Sequence, residues 1–346
     1  MRVHSRSMAV ASISAFALLA TACGGGGDDG GSGKAGGEFS YEGCNPENSL
    51  IAGNTSETCG GDVLNVLTAK LVKYDAKTAE PKNDIAESIK TDDNQTFTIK
   101  IKKGYKFHDG TDVTADSFVD AWNYTAHGPN AQSAAYFMQP IEGFKEVNAK
   151  DSKVKELKGL KVKDDTTFTV KTTEPVVDFP TRLGYTAFAP QPKAFFKDPE
   201  GFGEKPIGAG PYKFDSWDKS KSIKVSKFDD YSGDFEGKAD KIDFKILKDS
   251  DAAYTALQSG QLDITKQVPA SALVNGQYEK DFPDRSSSTD TMTVQWIGAN
   301  PKADPNLKDV NVRRAISMAI NREEIIKEIF NGERKPATGL VSEELE

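Results

Sequence analysis

Residues 96–102 alternate without a break: Phe97, Ile99 and Ile101 fall on one side of an extended chain, Thr98 and Lys100 on the other. Successive side chains of a strand point to opposite faces, so this pattern predicts a strand with one buried face. A close copy lies downstream. Asp92-Asp93-Asn94-Gln95-Thr96-Phe97-Thr98-Ile99-Lys100 is echoed by Asp164-Asp165-Thr166-Thr167-Phe168-Thr169-Val170-Lys171, each an acidic turn feeding the same inward aromatic and β-branched pattern. The two read as similar strands of one sheet, and a single echo does not make a repeat protein.

Helices and strands mix around this pair without a steady βαβ rhythm, which predicts an α/β chain with crossing segments. Asp62 is expected to cap a helix with Val63, Val66, Leu67 and Leu71 on one stripe. After a turn at Asp109-Gly110, Thr114 caps a second helix that carries Phe118, Ala121 and Trp122 on one side. Tyr212 to Trp217 and Ile223 to Phe228 read as hairpin arms joined through residues 218–222, with a further strand at 241–247. A short helix over 251–259 is stopped by Gly260. Residues 291–299 are expected to form another strand, apolar at Met292, Val294 and Trp296. Asp309 and the Asn321/Glu324 capping box open two final helices.

A chain of 346 residues suggests two domains or three. It carries 44 Lys+Arg against 52 Asp+Glu and no basic block, so nucleic acid is excluded as a partner. Residues 1–22 read as a secretory signal: Arg2 and Arg6 precede an apolar run from Met8 to Ala20 that is too short to span a bilayer. Ala20-Thr21-Ala22 ahead of Cys23 resembles the lipobox of bacterial lipoproteins, which makes Cys23 the expected lipidated first residue of the mature chain. The glycine-dense segment 23–37 reads as a flexible tether. Together they imply a soluble body held at the extracytoplasmic face of a bacterial membrane, or in a periplasm-like space. Cys44 and Cys59 are expected to form a disulfide in an exported chain; two separate thiols or half of a metal site are the alternatives, and no His lies near them.

Catalytic and cofactor signals are sparse. Gly208-Ala209-Gly210-Pro211-Tyr212 lacks the Gly-Lys-Ser/Thr of a phosphate loop and opens a strand, so it reads as a structural turn. His108 stands alone beside Asp109-Gly110 and is expected in a solvated or hydrogen-bonded loop. No Gly-x-Ser-x-Gly elbow occurs, and Asp229-Asp230 reads as an exposed turn. Neither a catalytic residue nor a metal or cofactor is expected.

Ala86, Asp93, Thr96-Phe97, Ile99, Ile101-Lys102 and Gly104 match in spacing and type the signature segment of family 5 extracellular solute-binding proteins, the peptide and nickel receptors of ABC importers. The resemblance continues through Phe107-His108-Asp109-Gly110-Thr111, Gly208-Ala209-Gly210-Pro211-Tyr212, Leu262-Asp263-Ile264 and Val312-Arg313-Arg314-Ala315-Ile316 to Ala319-Ile320-Asn321-Arg322-Glu323, with Asn321 where the family commonly has Asp. It implies a two-lobed periplasmic-binding-protein type II fold with an inserted subdomain. Lobe I would comprise residues 38–80 and 172–285, the insertion 81–171, and an incomplete second lobe 286–346. Family members continue well beyond Lys335-Pro336-Ala337, so the carboxylate that receives a ligand's amine has no counterpart, and weak binding or none by this polypeptide alone is expected.

The resemblance also implies a monomer that binds a peptide or other small solute and hands it to an ABC permease and its ATPase. Asn54, Thr55, Ser56 and Glu57 lie in the loop that approaches the ligand in the family; a loop merely anchored by the disulfide accounts for them equally. Trp296 would be an aromatic wall or a core residue, and Tyr136 a further ligand contact. An exported hydrolase of peptides or glycans, and a truncated non-binding lipoprotein, are the competing readings.

Overall fold

The computed structural model describes residues 36–235, 237–288, 291 and 293–341. The expected signal segment, lipidated Cys23 and the tether up to residue 35 lie outside the described residues. Strand β1 (Glu38–Gly43) runs into a loop and helix α1 (Thr58–Leu67), followed by the short ladder β2 (Val72–Tyr74) and β3 (Pro81–Asn83). Then come β4 (Ala86–Lys90), β5 (Thr96–Ile101), helix α2 (Ala115–Ala126), β6 (Leu160–Asp164) and β7 (Thr167–Lys171). The hairpin β8 (Tyr212–Asp218) and β9 (Ser222–Lys227) precedes β10 (Lys241–Ile246).

The two echoed segments are direct neighbours. In the antiparallel sheet β4-β5-β7-β6, Phe97 faces Val170 and Ile99 faces Phe168. Their matching alternation turns all four side chains to one face, where α2 covers them. Phe168 stacks on Phe118 at 5.8 Å and meets Trp122 edge-on at 5.6 Å, while the buried Trp122 indole donates to the Phe188 carbonyl at 3.0 Å. This core runs past residue 171 to include Phe179, Leu183 and Phe188. Thr114 caps α2 through a capping box with Ser117.

A second sheet, ordered β1-β10-β9-β8, joins the amino-terminal strand to strands from the far side of the sequence; β1 runs parallel to β10, with Phe39 opposite Ile242 and Tyr41 opposite Phe244. Val63, Leu64 and Leu67 of α1 pack on Tyr212, Ile223, Val225, Ile242 and Phe244 of this sheet. A buried Leu or Ile of this kind contributes about 2 kcal/mol.

Two local expectations are corrected. The cap of α1 is Glu57, whose Oε1 accepts from the Gly60 N–H at 2.9 Å; Asp62 sits inside the helix and Leu71 beyond it. Gly60 and Gly61 argue locally against helix, yet a Cβ on Gly60 would lie 2.6 Å from that Glu57 oxygen, so close packing of the cap favours glycine there. The second correction concerns residues 291–299, which form no strand among the described residues. A strand needs a ladder partner, and no described strand lies beside it. From residue 286 onward no described side chain is buried, and the stripes of helices Val310–Ala319 and Arg322–Phe330 leave Ile316, Ile325 and Ile329 exposed.

Candidate functional site

The loop between β1 and α1 is pinned at both ends by the Cys44–Cys59 disulfide, whose cysteines are 15 residues apart. Within it, Asn54 reaches the segment before Tyr136: its Oδ1 accepts from the Ser133 amide at 3.1 Å and the Ser133 hydroxyl at 2.8 Å. Thr55 is buried and Ser56 exposed. Glu57 spends one carboxylate oxygen on the α1 cap; the other is buried with no protein partner among the described residues. The Gln132 side-chain oxygen, one residue from Ser133, is in the same position. Among the described residues two buried acceptors thus lack protein donors, one three residues from Asn54 and one next to Ser133 in sequence.

An aromatic run begins next to that contact. Tyr136, 57% exposed, stacks on Phe137 with ring centroids 4.5 Å apart, and Phe137 lies 4.8 Å from the ring of Tyr185, itself 52% exposed. Phe137 is braced from behind by the buried Phe188. Tyr74 is held nearby: its hydroxyl donates to the Thr181 carbonyl at 2.7 Å, and its ring lies against Gly184, where a Cβ would come within 2.6 Å. Burial pushes the Tyr74 phenol up to about 12, so it stays a neutral donor.

A polar edge continues from Tyr185. The Thr186 hydroxyl and the exposed Asn65 side chain are 3.5 Å apart, and beneath them the Lys70 ammonium donates to Asn65 Oδ1 at 3.2 Å. Lys70 is only 8% exposed, and burial lowers its pKa to about 8, partly offset by the charge of Asp84. The sequence carries one overlooked signal for this group, a charged residue inside the otherwise uncharged run Leu67-Thr68-Ala69-Lys70-Leu71-Val72. Ser133, Phe137, Tyr185 and Thr186 carry no such mark, because tertiary packing alone brings them together.

Of the proposed site residues, Asn54 and Tyr136 thus border one face. Trp296 does not join them. It is 67% exposed, so it is not a core residue, and its ring lies over Gly298; among the described residues no hydrogen bond or ring contact links it to Tyr136 or to residues 54–57. An open depression of about 500 Å³, lined by residues 318–323 and Pro336, also holds none of the site residues. It is a dish between two exposed helices with no burial to offer a ligand.

His108 is occupied structurally. Its Nδ1 accepts from the Gly208 N–H at 3.1 Å and its Nε2 lies 3.1 Å from the Gly210 carbonyl, which fixes the neutral tautomer with the proton on Nε2. Burial lowers its pKa to about 4. Among the described residues no group of three or more His, Cys, Asp or Glu is placed to hold a metal ion, and no helix is long and apolar enough to cross a membrane. This arrangement offers stacking surface and hydrogen-bonding edges.

Residues 80–346 match the family described as bacterial extracellular solute-binding proteins, family 5 Middle. The oligopeptide-binding protein AppA of Bacillus subtilis is 32% identical over 303 residues, 84% of this chain and 50% of that protein. The dipeptide-binding protein DppE of the same organism is 31% identical over 270 residues, 77% of this chain and 48% of that one. In structure, AppA in complex with a nonapeptide superposes with a TM-score of 0.73 at 26% identity over 90% of this chain and 59% of that one. The Burkholderia pseudomallei OppA structure gives 0.76 at 23% identity over 89% and 60%, a likeness of fold. The chain spans about half the length of the curated relatives it matches.

Proposed function

The chain belongs to the bacterial extracellular solute-binding proteins of family 5, and on that premise we propose that it is a peptide-capturing receptor of an ABC importer, without a catalytic step. It would take oligopeptides or dipeptides outside the membrane and pass them to a permease and its ATPase. The observation that carries this reading is the aromatic run Tyr136–Phe137–Tyr185, its two tyrosines exposed and its half-buried Phe137 packed on Phe188, bordered by the polar Asn54–Ser133 contact. Exposed, pre-positioned aromatics flanked by a few fixed polar groups are the ordinary furniture of a ligand face. Backbone hydrogen bonds and bridging waters would then accept many peptide sequences.

The lobe boundaries belong to the same reading. Residues 38–80 with 172–285 form lobe I, 81–171 the insertion, and 286–346 the start of lobe II; the sharing of one sheet by β1 and β8–β10, and of another by β4–β7, supports the first two. Lipidation at Cys23 would hold the monomeric receptor at the extracytoplasmic face. Equilibrium dialysis of the protein against labelled peptides of two to nine residues tests the function. Saturable retention of intact peptide supports it; cleavage of the peptide, or no retention of any length, contradicts it.

A further inference from the structure

The Lys70 ammonium occupies an unusual position for a group with no ion-pair partner. It lies under the exposed Asn65 and the half-buried Thr186, one residue along from Tyr185, yet the residue is more than nine-tenths buried. An ammonium has three donors; among the described residues one of them meets a protein acceptor, Asn65 Oδ1, and no carboxylate lies within ion-pair distance. Asp84 is the carboxylate whose charge acts on it, but its carboxyl receives the Tyr105 hydroxyl at 3.1 Å and is itself driven toward the neutral form by burial. Desolvating a charge without a partner is costly unless a counter-charge arrives.

We propose that Lys70 anchors a carboxylate of the bound solute at the Asn65–Thr186 end of the aromatic face. The inference rests on the peptide-receptor reading and adds to it a charge preference. In this arrangement a carboxylate would take a donor from Lys70 Nζ and a second from the Thr186 hydroxyl turned away from Asn65 Oδ1, while the chain of the solute runs over Tyr185 toward Tyr136. Charge-assisted hydrogen bonds of this kind are shorter and stronger than neutral ones, and the low-dielectric setting of the ammonium raises their value. The lowered Lys70 pKa fits, since a carboxylate arriving beside it would raise the pKa back. The carboxylate has two sources in a peptide, its C-terminus and an Asp or Glu side chain.

The test uses the full chain and four tripeptide probes: Ala-Ala-Ala as free acid and as C-terminal amide, and Ala-Glu-Ala and Ala-Gln-Ala, both as amides. Each competes with a fluorescent peptide against the wild type, Lys70→Met and Lys70→Arg. At least one carboxylate probe is expected to bind the wild type about tenfold more tightly than its neutral counterpart, as one charge-assisted contact allows. The free acid identifies the C-terminus as source, the Glu peptide the side chain. Lys70→Met should abolish that preference, bringing each carboxylate probe to the level of its neutral counterpart, and Lys70→Arg should retain part of it. Wild-type binding with no carboxylate preference, or a preference that survives in Lys70→Met, overturns the anchor alone. Failure of all four probes and of the reporter peptide overturns the receptor reading and the anchor with it. Thermal melting of Lys70→Met guards against misfolding; its midpoint should be unchanged or higher, because the variant no longer buries an ammonium.

Discussion

His108 shows how far a single side chain can reach. It bridges the amide of Gly208 and the carbonyl of Gly210, a hundred residues downstream, and so ties the segment after β5 to the turn before β8. That turn is glycine by necessity as well, since a Cβ on Gly208 would lie 1.8 Å from the Leu67 carbonyl oxygen. The sequence shows a lone histidine beside a turn and a glycine turn elsewhere, and nothing local says that one holds the other. Burial lowers the histidine's pKa to about 4, with Lys213 acting in the same direction and Asp109 and the Gly210 carbonyl opposing. The unfolded chain, with an ordinary value near 6.5, therefore binds the extra proton first as pH falls. The stabilisation is complete above about pH 6.5 and is lost progressively down to about pH 4, by roughly 2–4 kcal/mol. Urea unfolding at pH 7.5, 5.5 and 4.5 should show this loss in the wild type and a shallower one in His108→Gln. Equal slopes in both proteins would remove His108 from the account.

Among the elements, β5 and β7 were legible because each is the other's partner and both lie in this chain: the repeated pattern and the pairing are the same fact. Residues 291–299 carry a similar alternation without a described neighbour, and alternation alone does not make a ladder. The start of α1 was hidden for a different reason. Local propensity prefers Asp to Glu as a cap and disfavours Gly60-Gly61 inside a helix, but the disulfide holds Cys59 beside Cys44 and brings the helix start forward to Glu57. Replacing both cysteines by alanine should cost about 3 kcal/mol for a loop of this length, measured as the shift in guanidinium unfolding. No measurable change would mean that the loop is held by Asn54–Ser133 and packing instead. In the other core, Phe168→Ala should cost about 3–5 kcal/mol, since the ring fills the space between Phe118 and Trp122. A loss below about 1 kcal/mol would show that this core collapses around the gap.

For the whole molecule, an α/β body was readable from mixed patterning and family resemblance, while the aromatic face proposed for the ligand was legible only in part. Asn54 and Tyr136 border it, Trp296 does not, and Phe137, Tyr185, Thr186 and Lys70 entered only through packing. Peptides are proposed to settle on this face. Residue-resolved NMR of the full chain during titration with a peptide pool tests it most directly. Saturable shifts are expected at Asn54, Ser133, Tyr136, Phe137 and Tyr185, with Trp217 and Phe330 unmoved. Saturable shifts at Trp217 or Phe330 with that face silent, or no saturable shift anywhere, would contradict it.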